Sequence, residues 1–312
     1  VETRIYVDGT ITPPDRAFIS VLDHGFLLGD SVYEVLRWHR GALIQETEHM
    51  DRLEASARRT YMDLQRSREE LVAAVHETCR AAGVGPDEDA YVRLVVTRGA
   101  GPLGLDVTGT RRSVVVIVAP ASRPSAAAWE RGLSVALVAR RRVPTEALDP
   151  RAKTGNYLNN VLALHEAKLA GADDAVMLNE KGDVTEATTA NAWLVRGGRV
   201  LTPTLEAGIL EGTSRMRILA LCRGNGIPAR EGRVKPRDLK GAQEAFLSSS
   251  VRGVVPVVRV DGEPVGAGVP GPVTRRVHAL FEQAADDEAR RAGALRHGTR
   301  ETPGAAVPGR PV

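Results

Sequence analysis

Runs of two-residue alternation, scattered through both halves of the chain, set the tightest limit on how it can fold. Arg4-Ile5-Tyr6-Val7 and Thr10-Ile11 flank Asp8-Gly9, a two-residue turn signal, and read as a hairpin. A second alternating run, Ser31–Trp38, turns at Arg40-Gly41 into Ala42-Leu43-Ile44. Further strands are predicted at Tyr91–Thr97, Ser113–Val118, Leu133–Ala139, Asp174–Leu178, Ala190–Val195, Glu244–Leu247 and Val254–Val260. Turn signals stand at Lys181-Gly182 and Asp261-Gly262.

Helical patterns lie between these runs. Met50, Leu53 and Ala57 share one face of a helix over about 47–59. Ser67-Arg68-Glu69-Glu70 is a capping box that opens a helix through Leu71, Val75 and Cys79, with Gly83 as its stop. Further helices are predicted over Asn156–Ala170, Thr213–Cys222 and about Pro272–Ala285. Strands and helices do not alternate one for one, which predicts α+β with mostly antiparallel sheet and excludes a doubly wound fold.

A chain of 312 residues, 43% of them hydrophobic, has material for about two domains. The segment 119–128 is small, Pro- and Ser-containing and aperiodic. It reads as a linker between an N-terminal α/β domain, 1–118, and a C-terminal domain, 129–285. Residues 286–312 are rich in Arg, Gly, Pro and Thr and read as a disordered tail.

The net charge of +3 is spread along the chain, and aromatics are only 4%. Neither a basic run nor a stacking platform points to nucleic acid. Cys79 and Cys222 lie in helical patterns outside any metal spacing, as do the seven histidines. They read as buried free thiols of a reducing cytosol. No signal peptide and no apolar run long enough for a membrane span is present, so a cytoplasmic chain without membrane partners is expected.

The chemistry centres on Asp149-Pro150-Arg151-Ala152-Lys153-Thr154-Gly155-Asn156-Tyr157. Lys153, with Tyr157 four residues on, can hold an aldehyde cofactor as a Schiff base. Val143, Pro144, Leu148, Leu158, Val161 and Leu162 would half-bury it, and Arg151 would lower its pKa. Alone, Lys153 reads as well as a solvated loop lysine. Leu210-Glu211-Gly212-Thr213-Ser214-Arg215 is a glycine-opened helix start that suits a phosphate, or an ordinary cap. Ser248-Ser249-Ser250 adds hydroxyls, or is a polar strand end. Arg52, on a helix with His49, can grip the same phosphate bidentately, or lie on a solvated face. Glu186 would keep a pyridine nitrogen protonated, or is a loop glutamate. Tyr33, Val35 and Arg37 share one face of a strand, where Arg37 recognises a carboxylate or meets solvent.

Taken together and in order over about 1–285, these motifs resemble the class IV, fold-type IV aminotransferases. That family includes branched-chain and D-amino-acid aminotransferases and aminodeoxychorismate lyases. The motifs are Gly29-Asp30-Ser31-Val32-Tyr33-Glu34, His49-Met50-Asp51-Arg52-Leu53, Thr97-Arg98-Gly99, Lys153 through Tyr157, Glu186 with Asn191, Leu210 through Arg215, and Phe246 through Ser250. The resemblance implies two domains with pyridoxal 5′-phosphate (PLP) between them, in a homodimer. Lys153 would bind the cofactor covalently and carry the proton. Arg52, Thr213, Ser214 and Ser250 would hold its phosphate, Tyr157 its ring oxygen, Glu186 its ring nitrogen and Leu210 its face. Tyr33, Arg37, Arg98, Val251 and Arg252 would face the substrate, and no metal is implied.

The run Gly101-Pro102-Leu103-Gly104-Leu105 lacks the Arg and His common in D-amino-acid enzymes, which favours the branched-chain group. Leu28, where an aromatic is common there, and Ser249-Ser250-Val251-Arg252-Gly253, with its arginine, depart from that group. The expectation is ping-pong transfer between a branched-chain-like L-amino acid and a 2-oxo acid. A lyase releasing pyruvate, a D-amino-acid aminotransferase and a non-catalytic homologue are the alternatives.

Overall fold

The computed structural model describes residues 1–298. The first sheet is built from β1 (Arg4–Val7), β2 (Thr10–Thr12), β3 (Ser31–His39), β4 (Ala42–Leu43), β5 (Asp89–Thr97) and β6 (Ser113–Pro120). A short helix, α1 (His24–Leu28), precedes β3. The strand order is β2-β1-β6-β5-β3-β4, antiparallel throughout. Inward residues alternate: Val32 and Leu36 on β3, Val92, Leu94 and Val96 on β5, Val114, Val116 and Val118 on β6. Against that face pack α2 (Glu46–Arg59), through Met50, Leu53 and Ala57, and α3 (Arg68–Ala81), through Leu71, Val75 and Cys79. Burying each of the larger side chains contributes about 2 kcal/mol. The capping box at Ser67 and Glu70 is present at the start of α3.

After β6 comes a helical turn, α4 (Ala126–Arg131), where the composition had suggested continuous linker; Ser125 caps it and Trp129 buries it. The irregular stretch shrinks to 121–125. The second sheet comprises β7 (Leu133–Arg141), β8 (Asp174–Leu178), β9 (Val184–Ala187), β10 (Asn191–Arg196), β11 (Arg199–Pro203), β12 (Ala229–Gly232), β13 (Glu244–Ser249), β14 (Gly253–Val260) and β15 (Glu263–Pro264). It is mixed: β7 pairs parallel with β8 and β14, and β11 with β12, while the other pairings are antiparallel. Because β9 pairs with both β8 and β10, six strands close into a barrel. Along β10, Ala192 and Leu194 fill the barrel, while Trp193 and Val195 pack outward beneath two helices.

Besides α4, which packs on β14, four helices cover this sheet: α5 (Leu158–Leu169), α6 (Thr213–Gly224), α7 (Pro236–Lys240) and α8 (Pro272–Gly298). Two expectations change here. On α5 the buried face is Ala163 and Ala167, and Leu158, Val161 and Leu162 lie outside, so they do not bury Lys153. The chain from Asp286 is not a disordered tail up to Gly298: α8 continues through it, with Ala285 and Ala289 packed on Ala42 and Ile44. The remaining tail expectation, 299–312, lies outside the described residues.

Ion pairs lock α8 to the first sheet. Arg37 on β3 binds Asp89 on β5 (2.9 Å) and Glu282 on α8 (2.9 Å). Arg123, from the connecting stretch, binds the same two carboxylates at 3.0 and 2.6 Å. His39 lies between Asp89 and Asp286. Both cysteines are buried and unpaired. Among the described residues no helix is long and apolar enough to cross a membrane, and no cluster of side chains suits a metal.

Candidate active site

A cavity of about 410 Å³, a size that suits a small molecule, lies between the two sheets. Lys153 enters it from the loop between β7 and α5. That loop zips onto the start of β3. The Tyr33 N–H donates to the Lys153 carbonyl (3.0 Å), the Gly155 N–H donates to the Ser31 carbonyl (2.9 Å), and Val32 bridges Thr154. The Lys153 N–H donates to Ser56 Oγ of α2 (3.0 Å). Glycine at 155 lets the loop lie close on β3, since a Cβ there would overlap Ser31 Oγ. The clamp holds Lys153 Nζ 3.3 Å from both the Tyr33 and the Tyr157 hydroxyls. Burial alone would push the Tyr157 phenol up, but the Lys153 charge and the hydrogen bond with Tyr33 bring it below its ordinary value. Burial and the neighbouring Tyr157 push Tyr33 up. One phenol keeps its proton firmly and the other yields it more readily.

At the start of α6, Gly212, Thr213 and Ser214 line the cavity, and no side chain caps the helix. First-turn N–H groups and the helix dipole make such a start attractive to anions. The Ser214 hydroxyl is buried without a hydrogen-bond partner. A Cβ at Gly212 would overlap the Asn191 side-chain oxygen. Beside this start runs a buried network. Arg52 donates from Nε and Nη2 to Glu34 (both 2.7 Å), and His49 Nδ1 donates to the same carboxylate (2.7 Å). Burial alone would raise the Glu34 carboxyl; Arg52 and His49 pull it down to about 2. Arg52 Nη1 donates to the Glu211 carbonyl (3.0 Å), which leaves the outer hydrogens of Nη1 and Nη2 for an anion. His49 Nε2 lies 3.2 Å from the Thr213 and Ser250 hydroxyls.

Glu186 lines the same cavity and is tied down by three donors. Arg142 Nη2 gives to Oε1 (2.6 Å), and Asn191 Nδ2 and the Leu210 N–H give to Oε2 (3.1 Å each). Burial pushes its carboxyl up while Arg142 pulls against it. Tyr33, Val35, Tyr91 and Arg93 form a wall from β3 and β5, with the Arg93 guanidinium 4.0 Å above the Tyr33 ring. Val251 and Arg252 close the cavity from the β13–β14 turn, where Arg252 donates to Thr189 Oγ1 (3.1 Å).

The family "Amino-transferase class IV" matches residues 31–260. The chain belongs to the class IV aminotransferases. A Methanocaldococcus jannaschii protein assigned to the branched-chain-amino-acid aminotransferases is 36% identical over 89% of this chain and 95% of its own. A D-alanine aminotransferase of Bacillus licheniformis is 30% identical over 90% and 96%. The crystal structure of an aminotransferase from Brucella abortus bound to PLP superposes with a TM-score of 0.80, at 26% identity, over 91% of this chain and 99% of that one. The α+β fold is that of the fold-type IV enzymes, and the aminotransferase is a PLP-dependent transaminase.

The aminotransferase's cavity fits that cofactor. The unpartnered Ser214 hydroxyl, the uncapped start of α6 and Arg52 offer donors to a phosphate, and Glu186 offers an anchored carboxylate to a ring nitrogen. Of the residues expected from sequence, Lys153, Arg52, Tyr157, Glu186, Leu210, Thr213, Ser214, Ser250, Tyr33, Val251 and Arg252 all line the cavity.

Two expected substrate residues do not. Arg37 lies beyond the cavity on the same face of β3 and is spent on Asp89 and Glu282. Arg98 binds Asp30 (2.8 Å) and the Thr60 and Tyr61 carbonyls (3.0 Å each), fastening the turn after α2. Glu34 takes the Nε–Nη2 edge of Arg52, so the Nη1–Nη2 end is the part of its fork left for a phosphate. Arg151 is chelated by Asp149 rather than turned toward Lys153. Sequence reading missed Arg93, Tyr91, Arg142 and Asn160. The alternation of β5 carried the signal for the first two: Ala90, Val92 and Leu94 are buried, which puts Tyr91 and Arg93 on the cavity face.

Proposed function

We propose that this site moves an amino group between a branched-chain-like L-amino acid and a 2-oxo acid, with the domains 1–118 and 129–285 as its walls. The observation that carries the reading is Lys153 Nζ held between two phenols in a cavity that also contains Glu186 and the α6 start. PLP, when bound, supplies an electron sink for a carbanion at the substrate Cα. Lys153 Nζ would hold the cofactor and, once displaced by the incoming amine, accept the Cα proton and deliver it to the cofactor's C4′. Tyr157 would orient the cofactor's ring oxygen. Glu186, fixed by Arg142, would keep the ring nitrogen protonated. Arg52, Thr213, Ser214 and Ser250 would hold the phosphate and Leu210 the ring face. Val35, Tyr33 and Val251 give an apolar surface for an aliphatic side chain, and Arg93 and Arg252 give cations for carboxylates of either substrate.

We also propose that the enzyme is a homodimer of the cytoplasm, where Cys79 and Cys222 stay reduced. Phe18, Val21, Phe26, Leu103, Leu105, Leu158 and Val161 are exposed. Their segments adjoin: the Gly101 N–H donates to the Leu22 carbonyl, and Asn156 Nδ2 donates to the Gly29 carbonyl. An apolar face of this kind marks a protein interface.

The reading is tested by titrating the holoenzyme with single L- and D-amino acids without acceptor and following the cofactor spectrum. Conversion to the aminated cofactor by L-leucine, L-isoleucine or L-valine supports it. Conversion by D-amino acids alone overturns the stereochemistry, and no conversion by any amino acid overturns transamination.

A further inference from the structure

His49 is fully buried, 1% exposed, and engaged at both ring nitrogens. Glu34 is a carboxylate and only accepts, so the His49 Nδ1 at 2.7 Å carries a proton. Arg52 Nη2, 3.4 Å from that nitrogen, therefore does not donate to it. In a neutral ring, Nε2 then has one lone pair, and two hydroxyls stand 3.2 Å from it, Thr213 and Ser250. One hydroxyl proton goes to His49 and only the other is free for a ligand. In a doubly protonated ring, Nε2–H becomes the donor, and both hydroxyl protons are free. The charge on His49 thus decides how many donors this end of the cavity offers.

We propose that His49 is a positioning residue for the cofactor phosphate: it takes up a proton as the phosphate dianion settles, and so turns both the Thr213 and Ser250 hydroxyls toward it. This rests on the reading that the phosphate lies at the start of α6. The charged groups acting most on His49 are Glu34 from β3, Arg52 from α2 and Lys153 from its loop; at Nε2, α6 and the β13–β14 turn bring the Thr213 and Ser250 hydroxyls. Burial holds the ring below the usual imidazole range against the pull of Glu34. A dianion adds to that pull and outweighs the two cations. A group whose pKa rises on binding makes binding tightest at low pH. Affinity then weakens by about tenfold per pH unit as pH rises toward the bound-state value.

The test uses the full chain freed of cofactor. The ligand is pyridoxine 5′-phosphate, which has the phosphate but no aldehyde to react with Lys153, and pyridoxine is the control. At pH 7.5 the ester, with a second pKa of about 6, is already almost all dianion, and pyridoxine carries the same ring nitrogen, so a proton taken up beyond pyridoxine's goes to the protein. Calorimetry in buffers of different ionisation enthalpy counts that proton, and NMR of the His49 ring reports its charge without any substitution. The expected result is tighter binding than pyridoxine, with about half a proton or more taken up per site. The His49 resonances move to imidazolium positions, neither effect occurs with pyridoxine, and the uptake is lost in His49→Gln. Tight binding with a neutral His49, or uptake that survives in His49→Gln, overturns the role of His49 and leaves the phosphate placement standing. Binding no tighter than pyridoxine overturns the phosphate placement and the role of His49 with it.

Discussion

Arg37 and Arg52 are both largely buried, both fork onto a carboxylate, and both looked from sequence like grips for an anion. Arg37 gives Nε and Nη2 to Asp89 and Nη1 to Glu282, all away from the cavity. Arg52 gives one edge to Glu34 and one hydrogen to a carbonyl, and keeps the rest beside the cavity. A buried arginine whose fork is given to carboxylates away from the cavity holds elements together, while one with hydrogens to spare at the cavity can hold a ligand. The first braces α8 against β3, and the second stands at the proposed phosphate site.

Substituting the two arginines separates these jobs. Arg52→Met strands the fully buried Glu34, so denaturant unfolding should show a loss of about 3–5 kcal/mol, and PLP affinity should fall with it. If stability falls and PLP affinity does not, Arg52 belongs with Arg37 as a brace.

Acid comes next in size. The folded pKa of Glu34, about 2, lies below its ordinary 4.5. Its contribution, about 3 kcal/mol, is whole above about pH 5 and is lost as pH falls toward about 2. Asp89 and Glu282 are also held down, against burial, by their arginine and histidine partners, so the brace weakens in the same direction. Unfolding free energy measured from pH 6 to pH 2 should therefore fall steadily, and a flat profile would deny both networks.

Arg37→Met should cost about 2–3 kcal/mol, less than Arg52→Met, because Asp89 and Glu282 keep some contact with water. PLP affinity and kcat of the folded variant should match wild type, as equilibrium binding and steady-state kinetics would show. Arg151→Ala should be silent in the melting temperature and in the pH dependence of turnover, since its guanidinium sits on Asp149 at the surface. A shifted pH profile would restore Arg151 as a neighbour of Lys153.

What the sequence made legible follows the range of the interactions. The Lys153–Tyr157 spacing, the glycine-opened start of α6 and the alternation of β3 are local patterns, and they lead to residues that line the cavity. The fate of Arg37 is not local, since its partner Glu282 lies 245 residues away on α8. That helix was itself truncated in the sequence reading, because past Ala285 its buried positions are alanines, which carry little apolar signal. Arg98 shows the same limit: its Asp30 and Thr60 partners come from separate turns. Arg93 is legible in the alternation of β5, whereas the β-branched content of that run marks a strand without saying which face is which.

The most direct measurement is to reduce the holoenzyme with borohydride, digest it and locate the cofactor by mass spectrometry. The cofactor mass should sit on the peptide carrying Lys153 and on no other lysine. Attachment elsewhere, or none, would contradict the assignment of this cavity as the transaminase site.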